Sequence, residues 1–186
     1  VQGWRTININ IAEAKAYGLD VEANYAGEIF GRRFTARGHV NWEPHLLFVT
    51  PGLSKLDQAG VAFSTNALYP TPAVAATALF HYEVTSKFSI DVLERWRSPL
   101  TMKNEATQVW NNPKVPSVAY TNLNLSYIVA KDPQLQVYLN IQNLFDKDPP
   151  PAAFFSAQTQ PGQFGGWAIG DDPIGRYFTV GVRFRH

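Results

Sequence analysis

The chain ends Gly175-Arg176-Tyr177-Phe178-Thr179-Val180-Gly181-Val182-Arg183-Phe184-Arg185-His186. Phe178, Val180, Val182 and Phe184 fall on one face at a period of two, the period a β-strand imposes on its side chains. The opposite face, with Thr179, Gly181, Arg183 and Arg185, is small and basic rather than neutral. A soluble sandwich can contain one such strand. What decides the fold is whether the pattern recurs, and over what length.

It recurs along the chain. Residues 7–25 carry Ile7, Ile9 and Ile11, a charged interruption at Glu13 and Lys15, then Tyr17, Leu19, Val21, Ala23 and Tyr25. Residues 32–48 set Phe34, Ala36, Gly38, Val40 and Trp42 against Arg33, Thr35, Arg37, His39 and Asn41. Residues 75–85 set Ala78, Phe80, Tyr82 and Val84 against Thr77, Leu79, His81 and Glu83, and residues 87–97 run through Phe88, Ile90 and Val92 to Glu94 and Trp96. Residues 117–129 set Leu123, Leu125, Tyr127 and Val129 against Asn122, Asn124 and Ser126. Residues 134–145 set Leu135, Val137, Leu139 and Ile141 against Gln136, Tyr138, Asn140 and Gln142. Glu94 interrupts its row and reads as a bulge or a position at a barrel mouth. These segments exceed the about five or six residues of an ordinary strand and reach the about 9–11 that a tilted strand needs to cross a bilayer.

The connections alternate between two kinds. Ala26–Gly31, Thr85–Lys87 and Ala130–Pro133 are short. Thr50–Thr71, Ser98–Pro116 and Lys147–Ile174 are long and rich in Pro, Gly, Asn and Gln. Short turns at one end and long loops at the other is the layout of an outer-membrane barrel. A soluble barrel with its apolar face inward has no need of that asymmetry. On the apolar face, Tyr25, Phe34, Tyr82, Phe88, Tyr127 and Phe184 lie nearest the short turns, while Trp42, Trp96, Phe145 and Phe178 lie nearest the long loops. This pattern predicts two aromatic girdles at headgroup depth.

Composition narrows the function classes. Net charge is +1, so no overall field calls for nucleic acid. Charged residues are only 17% and aromatics 13%, and no apolar run is long enough for a membrane helix. Cysteine is absent, which excludes disulfides, thiolate metal sites and cysteine nucleophiles. The expected fold is therefore an all-β, antiparallel transmembrane β-barrel segment of seven long strands, or eight if residues 7–25 form two.

Asn143-Leu144-Phe145-Asp146 closing one strand, and Gly175-Arg176 opening the last, with Phe184 near its end, resemble the C-terminal part of TonB-dependent outer-membrane receptors. Gly18-Leu19-Asp20-Val21-Glu22, and the entry from Asn112-Pro113 to Asn124, resemble two further strands of that family. The resemblance covers essentially the whole chain. It implies the last third of a 22-stranded barrel across residues 1–186, in the outer membrane of a Gram-negative bacterium. It also implies a transporter of siderophores, cobalamin or glycans rather than an enzyme, with no resident cofactor. The implied partners are outer-membrane lipid, the barrel-assembly machinery, a small-molecule substrate and the TonB energy-coupling complex acting through a plug. Two features depart from the family: no plug domain or TonB box lies within these residues, and His186 stands where an aromatic assembly signal is expected.

No chemistry outside transport stands out. His39, His45, His81 and His186 lack metal-ligand spacing, and Gly165, Gly166 and Gly170 are not followed by a phosphate-loop lysine. Asp20 and Glu22 share a face, but in a barrel they line the lumen beside Arg33 and Arg37, where charge balance or plug contacts account for them. Trp110, Asn111, Trp167 and Asp171 are the candidate loop contacts to substrate. Two alternatives stay open: a complete eight-stranded outer-membrane barrel with a structural or adhesive role, and a lipid-active barrel enzyme, which needs a Ser and a His to converge at the membrane rim.

Overall fold

The computed structural model describes residues 13–49, 52, 55–62, 71–102, 113–152, 166–168 and 170–185. In chain order the strands are β1 (Glu13–Ile29), β2 (Arg32–Val49), the short β3 (Leu56–Asp57), β4 (Val74–Glu83), β5 (Phe88–Arg97), the short β6 (Leu100–Thr101) and β7 (Lys114–Val115), β8 (Val118–Lys131), β9 (Gln134–Gln142) and β10 (Tyr177–Arg185). No helix forms among the described residues. The seven long strands pair as an antiparallel meander, β1-β2-β4-β5-β8-β9-β10, with β3 added to β2, while β6 and β7 form a separate ribbon. The sheet is open: β1 and β10 are its edges and do not pair with each other. It is all-β and antiparallel, consistent with a segment of barrel wall.

The meander gathers the three hairpin turns at one end and the three long connections at the other. The first turn is tighter than Ala26–Gly31. Strand β1 continues through Ala26, Gly27 and Glu28 to Ile29, pairing Gly27 with Phe34 and Glu28 with Arg33. Only Phe30 and Gly31 turn, with φ of 52° and 68°, a two-residue hairpin in which both central residues take positive φ. Gly27 does not break the strand, because the Tyr25 ring folds over the space its missing side chain leaves. Within the described residues, Glu13 onward is a single strand rather than two; Ile7, Ile9 and Ile11 lie outside them.

Register keeps the apolar row continuous from strand to strand. Phe34 faces Tyr82, Tyr82 faces Ile90, Ile90 faces Leu125, Leu125 faces Leu139 and Leu139 faces Val180. This line begins near the turn end of β2 and ends in the middle of β10, the stagger that strand tilt produces in a barrel. Beside it, on the same face, the Phe34 and Phe80 rings stack with centroids 6.5 Å apart. The apolar face is open to its surroundings: Val180 is 76% exposed, Val182 66% and Tyr25 57%. A contiguous apolar surface of this extent does not face water in a stable monomer.

Glu94 sits in this face without a bulge, in register between Ala78 and Thr121. The Thr121 hydroxyl donates to its Oε2, so the interruption is a paired carboxylate one step from Trp96. Strand β9 stops at Gln142 rather than 145, because Asn143 has φ of 49° and leaves the ladder. Phe145 therefore lies beyond the strand, 73% exposed.

Candidate functional site

The polar face of the sheet carries ordered charge and amide networks. On β1 and β2, Arg37 donates from Nε and Nη2 to Glu22 Oε1 at 3.0 and 2.7 Å, and Asn24 donates to the same oxygen. Asn41 donates to Asp20 at 2.8 Å. Asp20 and Glu22 are thus held by neighbours across the hairpin, and Arg33 stands opposite Glu28. On β4 and β5, His81 Nδ1 lies 2.6 Å from Asp91 Oδ1, and Asn124 donates to the other oxygen of that carboxylate. Toward β9 and β10 the carboxylates give out: Asn140, Gln142 and Thr179 line a shallow trough with Tyr138 and Arg183.

The conventional core of the chain lies among its loops. Ala62, Leu100, Met102, Val115, Ala152 and Ala168 bury one another where the long connections converge. Backbone bonds tie these connections together: Ala62 donates to Thr101, Thr101 to Gly60, Met102 to Pro113 and Ala152 to Gly166. On the β2 side, β3 is clipped down by Asp57. Its Oδ2 lies 2.7 Å from His45 Nδ1, while its Oδ1 accepts from the Leu46 and Ala59 amides. Partial burial pushes this carboxyl up, but the hydrogen bonds from His45, Leu46 and Ala59 together outweigh it and hold it below the ordinary aspartate range.

Asp171 is the hub of the mouth. Arg97 donates from Nε and Nη2 to its two oxygens at 2.7 and 2.5 Å, with the side chains 11% and 2% exposed. The remaining Nη1 donates to the carbonyls of Ser98 and Pro116. One guanidinium at the end of β5 therefore joins the connection between β5 and β8 to the one between β9 and β10. Asp171 is engaged as a loop anchor, with both oxygens taken. Trp167 is 43% exposed and pairs its backbone with Pro151 in an isolated bridge. Trp110, Asn111 and His186 lie outside the described residues.

The Asn143–Asp146 and Gly175–Arg176 segments come together as a latch at the base of the last long loop. Asn143 is fully buried; its amide donates to Asn122 Oδ1, its Nδ2 donates to the Lys147 carbonyl, and its Oδ1 accepts from the Lys147 amide. Leu144 donates its amide to the Thr121 carbonyl. Asp146 Oδ1 accepts from the Arg176 amide at 2.8 Å. Gly175, at φ of 79°, leaves room for that oxygen, which would lie 3.1 Å from any added Cβ. The sequence marked these residues as a signature, and their shared role as a loop closure became visible only in three dimensions. Arg97 was missed; its sole signal was a charged residue ending a strand.

The family model "TonB dependent receptor-like, beta-barrel" matches residues 1–144, ending inside the latch at Leu144. No curated protein matches the chain, and no solved structure does. A match over most of the length, on a meander with hairpin turns at one end and long connections at the other, places the chain in the TonB-dependent receptor-like β-barrel family.

Proposed function

We propose that the chain is part of the barrel wall and outer mouth of an outer-membrane importer, energised through TonB, for a scarce nutrient of the siderophore, cobalamin or glycan class. The family is one of outer-membrane receptors and transporters. The observation that carries the reading is the unbroken apolar row from Phe34 to Val180, backed on the other face by the Glu22–Arg37 and His81–Asp91 networks. Such a sheet separates lipid from a polar lumen.

On this reading Tyr25, Phe34, Tyr82, Phe88, Tyr127 and Phe184 sit at the inner headgroup level, and Trp42, Trp96 and Phe178 at the outer. The convergent loops catch substrate outside, with Trp167 an exposed aromatic among the described loop residues. The plug that TonB remodels, and the assembly machinery that inserts the barrel, are partners of the whole receptor. The edge strands β1 and β10 pair with neighbouring wall strands. A small closed barrel would instead require them to pair with each other.

The test is energised uptake. Cells displaying the receptor are given labelled ferric siderophores, cobalamin and oligosaccharides, with and without a protonophore. One class accumulates only while the proton gradient stands, and surface binding of that class survives its collapse. Accumulation indifferent to the gradient, or none in any class, would overturn the proposal.

A further inference from the structure

Residues 170–174 lean over the polar face of β5, β8, β9 and β10 and border an open recess of about 510 Å³. That volume lies in the range of small-molecule sites, about 300–1,000 Å³. Its roof is fixed rather than loose, because Asp171 is the anchor held by Arg97. Its wall presents Leu93, Arg95, Asn122, Gln142 and Tyr177, and residues 170–174 add the Asp172 carboxylate, whose Oδ1 accepts from the Ile174 amide.

The chemistry of this wall is directional. Arg95 lies with its guanidinium carbon 5.8 Å from the centre of the Tyr120 ring, and among the described residues no carboxylate pairs with it. Its neighbour Arg97, two residues on, is fully occupied, so the two arginines differ in what they can accept. Asn122 commits its oxygen to the Asn143 amide, which leaves an NH2 donor. Gln142 commits its amide group to Asn140 at 2.7 Å, which leaves a carbonyl acceptor. Tyr177 pairs with Gln142 across the ladder and brings a hydroxyl to the same row. A cation beside an aromatic ring, with one donor, one acceptor, one hydroxyl and the Asp172 carboxylate as a second acceptor for hydroxyls, suits an oxyanion on a small hydroxylated body.

We propose that this recess is a subsite for a sugar-sized, hydroxylated molecule carrying a carboxylate or phosphate, with Arg95 binding the oxyanion and Asn122, Gln142 and Tyr177 binding its hydroxyl groups. The proposal rests on the transport reading and adds a substrate class to it.

Arginine modification tests it. Outer membranes containing the protein are treated with phenylglyoxal, and modification at Arg95 and Arg97 is read by peptide mass spectrometry. Three probes share one ring: D-glucuronate, D-glucose 6-phosphate and neutral D-glucose. Arg95 is expected to react readily and Arg97 slowly. Glucuronate or glucose 6-phosphate slows the Arg95 reaction roughly tenfold or more, the scale of a charge-assisted hydrogen bond, and glucose leaves it unchanged. Whichever anion protects identifies the group recognised, and Gln142→Ala weakens that protection. Equal protection by glucose, or none by either anion, overturns the proposal. So does an Arg95 that is unreactive without any probe, since a carboxylate of the receptor itself then holds it. None of these outcomes alters the protonophore result, so the subsite and the transport reading fail separately.

Discussion

Arg97 and Asp171 meet in a two-bond ion pair that is almost wholly buried, although one ends a strand and the other lies deep in the last long connection. Burying charge is tolerated when every donor and acceptor finds a partner, and here Ser98 and Pro116 take up the remaining Nη1. Removing one member leaves the other charged and dry, a cost of about 3–5 kcal/mol. The sheet has its own ladder, so the loss falls on loop docking, as local opening. Asp171→Ala is expected to raise thermolysin cleavage within residues 143–176 by about a hundredfold or more, with the strand signal in circular dichroism unchanged. Arg97→Lys is expected to behave much like the alanine variant, because an ammonium cannot span both oxygens and reach two carbonyls. Cleavage at the parent rate would show that the pair does not hold the loop.

Gly175 and Asp146 give a second, separable effect. At φ of 79° a side chain costs about 1–2 kcal/mol in backbone strain, and Cβ would also crowd Asp146 Oδ1. Asp146→Ala removes the acceptor for the Arg176 amide, worth about 1 kcal/mol. In urea titrations followed by tryptophan fluorescence, Gly175→Ala is expected to be the more damaging single change. The double variant is expected to fall short of the sum, because the crowding vanishes with the carboxylate while the backbone strain stays.

These two clusters mark where reading the sequence stops. Strands β2, β4, β5, β8, β9 and β10, and the alternation of turns and loops, were legible because a sheet places its two faces in different media at every second residue. Gly27 looked like a turn residue because its cover, the Tyr25 ring, is a property of packing rather than of propensity. Glu94 looked like a defect because its partner Thr121 sits on another strand. Asp171 read as an open carboxylate at the mouth for the same reason. Loop residues have no period, so nothing in a one-dimensional pattern pairs Arg97 with Asp171 or Asp146 with the Arg176 amide.

The Asp57 clip makes the outer connection after β2 sensitive to acid. Its carboxyl is held below the usual value in the folded chain, so its contribution is complete above the unfolded pKa of about 4. It is lost as pH falls through the lower folded value. Hydrogen exchange at the Leu46 and Ala59 amides, corrected for intrinsic rate, is expected to be steady from pH 7 down to about 4 and to accelerate below that. Asp57→Asn is expected to flatten this dependence. Protection that is lost already near neutrality would assign the clip to another group.

The last prediction concerns Gly181 and Tyr138, which face each other across β9 and β10. A Cβ built on Gly181 would overlap the Tyr138 ring, so the ring lies over the bare backbone, and the Arg183 guanidinium carbon is 5.9 Å from its centre. An aromatic ring laid across a strand glycine restores the packing and backbone shielding that glycine lacks. Gly181→Ala would push the ring off this seat even though alanine has the better strand propensity. The expected cost in the parent is about 1 kcal/mol, the size of a good cross-strand pair. In a Tyr138→Ala background the same change meets open space and is expected to be neutral or mildly stabilising. A double-mutant cycle in urea is therefore expected to give a coupling of about 1 kcal/mol, within the range for residues in contact. Additivity would mean that the ring moves aside freely and that Gly181 is retained there for another reason.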